Sequence, residues 1–191
     1  LRKPDVSILS EEFLSEVRGL KHKNLAVELL QRLISGEIRA QRKRNIVQAR
    51  RFSQMLEDAI RRYRNRVIEA AQLIEELIAM ARELRDARRR GEELGLTEEE
   101  QAFYDALLEN RSAVEVLGNE TLRTIAQELV RIVRQNATVD WTLRENVRAH
   151  MRRLVKRVLR KYGYPPDHQE AATGTVLKQA EALSESWATG N

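Results

Sequence analysis

The sequence of 191 residues contains no cysteine, and it has only 8 glycines and 3 prolines. The absence of cysteine excludes disulfides, thiolate nucleophiles and cysteine-ligated zinc, and it fits a reducing compartment. Because glycine and proline are scarce, few positions are suited to the turns that strands need. Alanine, leucine, glutamate and arginine, which favour helices, are abundant. This composition predicts an all-α protein.

Long apolar runs are also missing. No run approaches the roughly 18 residues that a membrane-spanning helix needs, and no signal-peptide pattern is present. We therefore expect a cytoplasmic protein without a membrane partner. The sequence begins at Leu1 rather than at an initiator methionine, which indicates a piece excised from a longer polypeptide.

Residue patterns that support catalysis are scarce as well. The histidines His22, His150 and His168 lie far apart, and none has a second ligand at a spacing suited to a metal. No G-x-x-x-x-G-K-[ST] phosphate loop occurs, and adjacent carboxylates such as Glu75 and Glu76 point in different directions on a helix. We therefore predict no catalytic, cofactor-binding or metal-binding residue and no small-molecule substrate.

What the sequence does contain is a stretch from Glu37 to Arg90 without glycine or proline. Apolar residues recur in it at alternating spacings of four and three, the period of a helix that meets other helices along one seam. Neighbouring positions are apolar where a two-stranded coiled coil usually carries charges, which favours a bundle. The seam comprises Leu56, Ile60, Tyr63, Val67, Ala70, Ile74, Leu77, Ala81 and Leu84, and the neighbouring positions are Ala71, Leu73, Ile78 and Met80.

The predicted fold is therefore an all-α helical bundle organised around one long helix. Asn45 and Gln48 form a capping-box pattern, so this helix could be kinked or broken near residues 44–50. Residues 1–20 are predicted to form an N-terminal linker and a short helix, which Ser10 begins and Gly19 ends. Residues 21–187 form a single helical domain, with a connection at 111–118, and residues 188–191 form a frayed tail.

Basic residues are unevenly distributed along the chain. The net charge is +5, but residues 37–67 and residues 144–162 each carry net +7. Two basic helices could contact an anionic partner such as duplex DNA, without sequence preference. The alternative is a solvated face whose cations pair with acids, and 5% aromatic residues supply no platform for stacking bases. The candidate DNA-facing residues are Arg61, Arg62, Arg66, Arg148, Arg152, Arg153 and Lys156.

A second candidate surface lies near the ends of the second basic helix. Trp141 and Tyr164, followed by Pro165 and Pro166, are candidate partner-binding residues, because aromatic anchors dominate many protein interfaces. The alternative interpretation is that the two aromatic side chains close the edge of a core.

Several blocks of the sequence resemble the C-terminal helical region of the R subunit of type I restriction enzymes. The resemblance covers nearly the whole chain, and although no single block is diagnostic, their order is fairly specific. The blocks are KPDVSILSEEFL (3–14), KNLAVELL (23–30), AIRRY (59–63), IEAAQ (68–72), FYDAL (103–107), DWT (140–142) and KYGYPPD (161–167).

This resemblance implies that the parent subunit is a site-specific, ATP-dependent deoxyribonuclease with its nuclease and DNA-translocating motor upstream. It implies ATP and Mg²⁺ as cofactors of the parent subunit and none for this fragment. The helical end would dock the subunit on the methyltransferase core of the restriction-modification complex. Two other hypotheses stay open, a non-specific nucleic-acid-binding domain and a self-associating scaffold.

Overall fold

The computed structural model describes residues 9–137 and 141–188, and within these ranges it contains helices and no strand. The α-helices are α1 (Glu11–Gly19), α2 (Lys23–Arg42), α3 (Ile46–Arg64), α4 (Ala70–Glu93), α5 (Glu98–Leu108), α6 (Arg111–Asn136), α7 (Glu145–Lys161) and α8 (Gln169–Ala188), with a short 3-10 helix at Pro166–His168. The prediction of an all-α bundle is confirmed. No helix in the described ranges is long and apolar enough to cross a membrane.

The stretch predicted to be one long helix is divided among α2, α3 and α4. The first break lies at residues 43–45, close to the predicted position. The side-chain oxygen of Asn45 accepts a hydrogen bond from the backbone N–H of Gln48 at 3.0 Å, which satisfies a donor that a helix start leaves free. The capping pattern therefore marks a true helix start.

The second break, at residues 65–69, contradicts the single long helix. Arg66 adopts a φ of 57°, and the N–H groups of Arg66 and Val67 donate to the carbonyls of Tyr63 and Arg62 at 3.0 and 2.9 Å. This pair of bonds is a Schellman motif, in which the left-handed residue is usually glycine. The prediction is wrong because arginine occupies that position here and carries no turn signal.

The same motif ends α4 and α7, with glycine in the left-handed position. Gly95 has a φ of 63° and Gly163 a φ of 71°. The chain beyond each glycine closes the motif, through bonds from Leu96 to Gly91 and from Tyr164 to Leu159 at 2.9 Å each. Glycine adopts this conformation without the steric cost that a Cβ adds. Both helices therefore end at a glycine in the left-handed conformation.

The helices are grouped in two compact units. The first unit contains the described residues up to 40 and residues 49–90, and the second contains residues 41–48 and the described residues from 91 onward. This division does not test the predicted single domain over 21–187, since two units can unfold together. Residues 1–8 of the predicted linker and residues 189–191 of the predicted 188–191 tail lie outside the described residues.

The core of the first unit is built from α1 to α4. Leu14 and Val17 of α1 belong to this core, so residues 9–20 take part in its packing. The predicted wide apolar face is confirmed at Leu73, Ile78 and Met80, which are buried, but not at Ala71, which is exposed. Val67 departs from that prediction at 67% exposure, because the turn at 65–69 removes it from the helical period.

The core of the second unit is built from α5 to α8. Thr97 begins α5 with a reciprocal capping box, in which Thr97 and Glu100 each accept a backbone hydrogen bond from the other, at 3.2 and 2.8 Å. The predicted connection at 111–118 is helical from Arg111 to residue 117, and only Gly118 departs from helical geometry. Asn110 provides the start that the sequence pattern did not reveal, because its side chain accepts from the N–H of Ser112.

Candidate interaction surfaces

Helix α7 carries the second basic region and presents four distinct faces. Its inward face packs in the core of the second unit through apolar residues at helical spacing. These residues are Met151, Val155, Val158 and Leu159. The basic residues of α7 therefore lie on its two flanks and on the face opposite the core.

One flank of α7 is neutralised by α8. Arg148 lies 3.1 Å from Glu181, measured from Nη2 to Oε1. Glu170 pairs with both Arg152 and Lys156, and its carboxylate lies 2.5 Å from the Lys156 Nζ. Three of the candidate DNA-facing residues are therefore engaged with acids of the same unit. The alternative interpretation, an ion-paired face, describes this flank.

The other flank of α7 is neutralised by α6. Lys161 donates to Glu128 at 2.9 Å, and the hydroxyl of Tyr162 donates to the same carboxylate at 2.6 Å. The hydrogen bond from Tyr162, followed by that from Lys161, holds the pKa of Glu128 below its usual range. This flank is thus also committed to a contact within the unit.

The outward face of α7 is different. Arg153, Arg157 and Arg160 lie at i, i+4 and i+7 and are exposed. Asn146 and His150 continue the same face toward the start of the helix. None of the three arginines forms an ion pair with another residue of the described ranges. Of the three, sequence reasoning named only Arg153, because composition alone does not separate one face of a helix from another.

The basic residues near the end of α3 are partly neutralised. Arg61 lies 2.6 Å from Asp58 on its own helix, and Arg62 lies 2.5 Å from Glu76 of α4. Arg66 occupies the left-handed position of the α3–α4 turn and is exposed. Two of these three candidate residues are therefore held by acids within the first unit.

The α3–α4 turn also exposes apolar side chains, which sequence reasoning missed as a surface. Val67 is 67% exposed, Ile68 is half-buried, and Ala71 is exposed at the start of α4. An open groove of about 440 Å³ adjoins them and is lined in part by Ile68 and Ala71. We call Val67, Ile68 and Ala71 the turn surface. In the sequence, this surface could have been recognised from Val67, a seam residue that follows a basic run.

The predicted aromatic anchors are buried. Trp141 is 0% exposed and donates its indole N–H to Ser184 Oγ at 3.0 Å. Tyr164 is 1% exposed and donates its hydroxyl to the carbonyl of Leu107 at 3.0 Å. Burial raises the pKa of the Tyr164 phenol. The prediction of exposed anchors is corrected for both residues, because their apolar rings complete the core of the second unit.

The two prolines of the predicted anchor group behave differently. Pro165 is half-buried, whereas Pro166 is exposed and starts the 3-10 helix. Proline fits the first position of a helix because its missing N–H would be unpaired there. Their place in the chain is therefore explained by the helix start, and contact with a partner stays a prediction.

Known proteins show which family the chain belongs to. Residues 1–186 match the family described as "Type I restriction enzyme HindI endonuclease subunit-like, C-terminal". The chain belongs to this family. It is 40% identical over 182 residues to the type I restriction enzyme HindI endonuclease subunit of Haemophilus influenzae. It is 36% identical over 162 residues to the putative type I restriction enzyme MjaIXP endonuclease subunit of Methanocaldococcus jannaschii.

The match covers most of this chain but little of either relative. It includes 95% of the chain and 17% of the Haemophilus influenzae protein, and 84% of the chain and 16% of the Methanocaldococcus jannaschii protein. No solved structure matches the chain. The resemblance to the C-terminal region of a type I restriction subunit is confirmed at the level of the family.

One further cluster in this family member was not predicted. The carboxylate of Asp105, in α5, accepts hydrogen bonds from the side-chain amides of Asn45 and Gln48 at 2.6 Å each. Gln41 donates to Gln48 at 2.9 Å, and Gln179 of α8 accepts from the backbone of the same turn. Amides at 41, 45 and 48 have the spacing of one helical face, although the helix breaks at residues 43–45, and this spacing was the available signal.

The geometry of this cluster indicates a structural role. Its donors and acceptors are buried and aimed at one another, so the 41–48 turn is fixed against α5 and α8. Within residues 9–137 and 141–188, no group of three or more histidine, aspartate or glutamate side chains is arranged to hold a metal ion. Two exposed surfaces, the turn surface and the outward face of α7, are candidates for binding other molecules.

Proposed function

We propose that this chain is the assembly region of a type I restriction enzyme R subunit and docks that subunit on the methyltransferase core. Membership of the family supports the setting, since both relatives are endonuclease subunits of type I restriction enzymes. The parent subunit would cleave DNA in an ATP- and Mg²⁺-dependent reaction. The residues of this chain would contribute binding rather than catalysis.

The observation that carries the proposal is the exposed turn surface in the first unit. Val67, which is 67% exposed, forms with Ile68 and Ala71 an exposed apolar patch at the tip of two helices, beside a groove that Gln72, Glu75 and Glu76 also line. Contiguous apolar patches with polar rims mark protein-binding sites. Backbone hydrogen bonds from Arg66 to Tyr63 and from Val67 to Arg62 fix the turn, so little conformational entropy is lost when a partner binds.

The conformation of Arg66 supports the same proposal. A left-handed arginine costs about 1–2 kcal/mol, and glycine would relieve that cost. Backbone strain that is maintained at an exposed turn is a reason to infer that the side chain has a use. Arg64, Arg66 and Glu69 are exposed around the turn surface, so the complementary partner surface would be apolar at its centre and carry charges of both signs at its rim.

The test is a pull-down of the methyltransferase core with the full-length R subunit carrying Val67→Asp. A charge placed in the centre of an interface should weaken assembly at least tenfold, because the partner's apolar contact becomes unfavourable. Val116→Asp is the matched control, since Val116 is 66% exposed but lies in α6 of the second unit. Equal assembly by both variants would overturn the role of the turn surface.

Two further variants test the proposal as a whole. An R subunit truncated before Leu1 should not join the core, whereas Arg66→Gly should join it more weakly while its own unfolding midpoint rises. If the truncated subunit still assembles with unchanged affinity, the docking function is wrong whatever the outcome for Val67.

A further inference from the structure

We infer that the outward face of α7, formed by Arg153, Arg157 and Arg160, binds the phosphodiester backbone of a nucleic acid duplex. The three guanidinium groups share one face directly opposite the buried face of the helix. Asn146 and His150 complete this face, so it carries no acidic side chain. This inference goes beyond assembly on the methyltransferase core.

The flanks of the same helix show that the outward arginines are not unpaired merely because α7 contains many arginines. Both flanks have partners, with α8 supplying acids for one and α6 supplying Glu128 for the other. The chain contains 29 acidic residues, yet none of the described ones pairs with the outward arginines. The resulting surface keeps its full positive charge available for an anion from outside the unit.

The outward face of α3 shows what a solvated basic helix looks like in this protein. There, Glu57 and Asp58 lie among the arginines, and Asp58 pairs with Arg61 at 2.6 Å. Such mixed charges lower the potential that an anionic ligand experiences. The outward face of α7 lacks this internal compensation.

The chemistry of the three side chains favours phosphate as the ligand. Each guanidinium presents a planar fork of donors that matches two phosphate oxygens. Along a helix, residues 153 and 160 are separated by about 10 Å, so the three groups can follow several phosphates of one strand. The helix residues that form this face include no phenylalanine, tyrosine or tryptophan for stacking bases, which favours a duplex backbone over a single strand.

The test compares binding of a random-sequence duplex by the full-length R subunit and by a triple variant, Arg153→Gln, Arg157→Gln and Arg160→Gln, without ATP. Removing one phosphate-binding arginine should lower the slope of log K against log salt concentration by about 1, so the triple variant should lower it by about 3. The control removes the same charge from α2 by Arg32→Gln, Arg39→Gln and Arg42→Gln. These three arginines are also exposed.

The expected result is a reduced slope and weaker binding for the α7 variant at low salt, with a smaller change for the α2 variant and equal melting temperatures. An unchanged slope for the α7 variant would overturn the inference. Equal changes in both variants would show that the effect comes from overall charge alone, which would also overturn the inference. If the α7 variant keeps its DNA slope but no longer joins the methyltransferase core, the face binds an acidic protein instead, which again contradicts the inference. Because Val67→Asp leaves the α7 arginines unchanged, failure of the docking proposal can be told apart from failure of this inference.

Discussion

The two units of this protein differ in what fills their interiors. The core of the first unit is almost entirely aliphatic, with Phe52 as its fully buried aromatic side chain. The core of the second unit contains Phe103, Trp141 and Tyr164. Every buried polar residue in the described ranges also belongs to the second unit. The first unit keeps its polar contacts at its surface, as ion pairs between helices.

This difference separates two ways of specifying a helical packing. Aliphatic side chains of suitable size can replace one another at modest cost, so the first unit depends mainly on the pattern of apolar positions. Buried hydrogen bonds have a required direction, and an unmatched donor is costly. The second unit therefore depends on particular residue identities at particular places.

The largest expected effect comes from placing a charge in the aliphatic core. Ile74 is 2% exposed, and Ile74→Asp would leave a buried carboxylate without a partner, at a cost of about 3–5 kcal/mol. Both tryptophans, Trp141 and Trp187, lie in the second unit. Tryptophan fluorescence therefore reports the second unit alone, whereas circular dichroism reports the helices of both units.

The same variant tests the predicted single domain over 21–187. One domain should lose both signals in a single transition, whereas independent units should keep a cooperative fluorescence transition after the first unit has unfolded. Ala79→Asp, at an exposed position of α4, is the control and should melt near the wild-type temperature. Near-wild-type melting of Ile74→Asp would contradict the burial of the seam.

The next effect tests the polar interior of the second unit. Asp105→Leu would leave the amides of Asn45 and Gln48 without their acceptor, a loss of about 2–4 kcal/mol in the free energy of unfolding. Urea denaturation followed by fluorescence would measure it. Glu115→Leu changes an exposed carboxylate of α6 and should alter the free energy by less than about 0.5 kcal/mol. If Asp105→Leu is neutral, the cluster does not specify the second unit.

A smaller effect of opposite sign is expected at the α3–α4 turn. Arg66→Gly should stabilise the first unit by about 0.5–1 kcal/mol, because relief of the left-handed strain exceeds the added entropy of the unfolded chain. Gly95→Ala provides the reciprocal change in the second unit. Its new Cβ would meet Arg123 at an ordinary 3.6 Å, so its destabilisation would measure backbone strain alone.

These two variants should shift the urea midpoint in opposite directions at constant slope. A destabilising Arg66→Gly would mean that the arginine side chain supports the fold of the first unit. In that case the strain at residue 66 would no longer favour a role in docking.

The smallest effect concerns the surface ion pairs of the first unit. Hydrogen bonds from Arg82 and Arg85 hold the pKa of Glu11 at about 2, below the ordinary 4.5. A pKa lowered by folding contributes stability that is present above pH 4.5 and is lost as the pH falls from 4.5 toward 2. The contribution should be small, because the carboxylate and its partners are solvated.

Melting temperatures between pH 6 and pH 2 would test this contribution. The difference between the wild type and Glu11→Gln should be present at pH 6 and should vanish near pH 2. Glu16→Gln, an exposed carboxylate of the same helix outside these ion pairs, is the control. A difference that persists at pH 2 would show that Glu11 acts through something other than its charge.

Local signals in the sequence predicted those features whose physical cause lies within a few residues. Ser10, Asn45 and the apolar seam other than Val67 act through their own backbone and neighbouring turns, and the structure agrees with each. The break at Arg66 was missed because nothing about an arginine indicates a left-handed conformation. The packing of surrounding helices is what can maintain it.

The sequence by itself determined the all-α class, the family, the two basic regions and the helix starts at Ser10 and Asn45. The tertiary structure decided which cations are neutralised, since an ion pair depends on the acid that another helix brings within reach. It decided equally that Trp141 and Tyr164 are buried and that Val67 is exposed. Helical periodicity defines a face within one helix, but only packing against other helices decides whether that face meets a core, an acid or solvent.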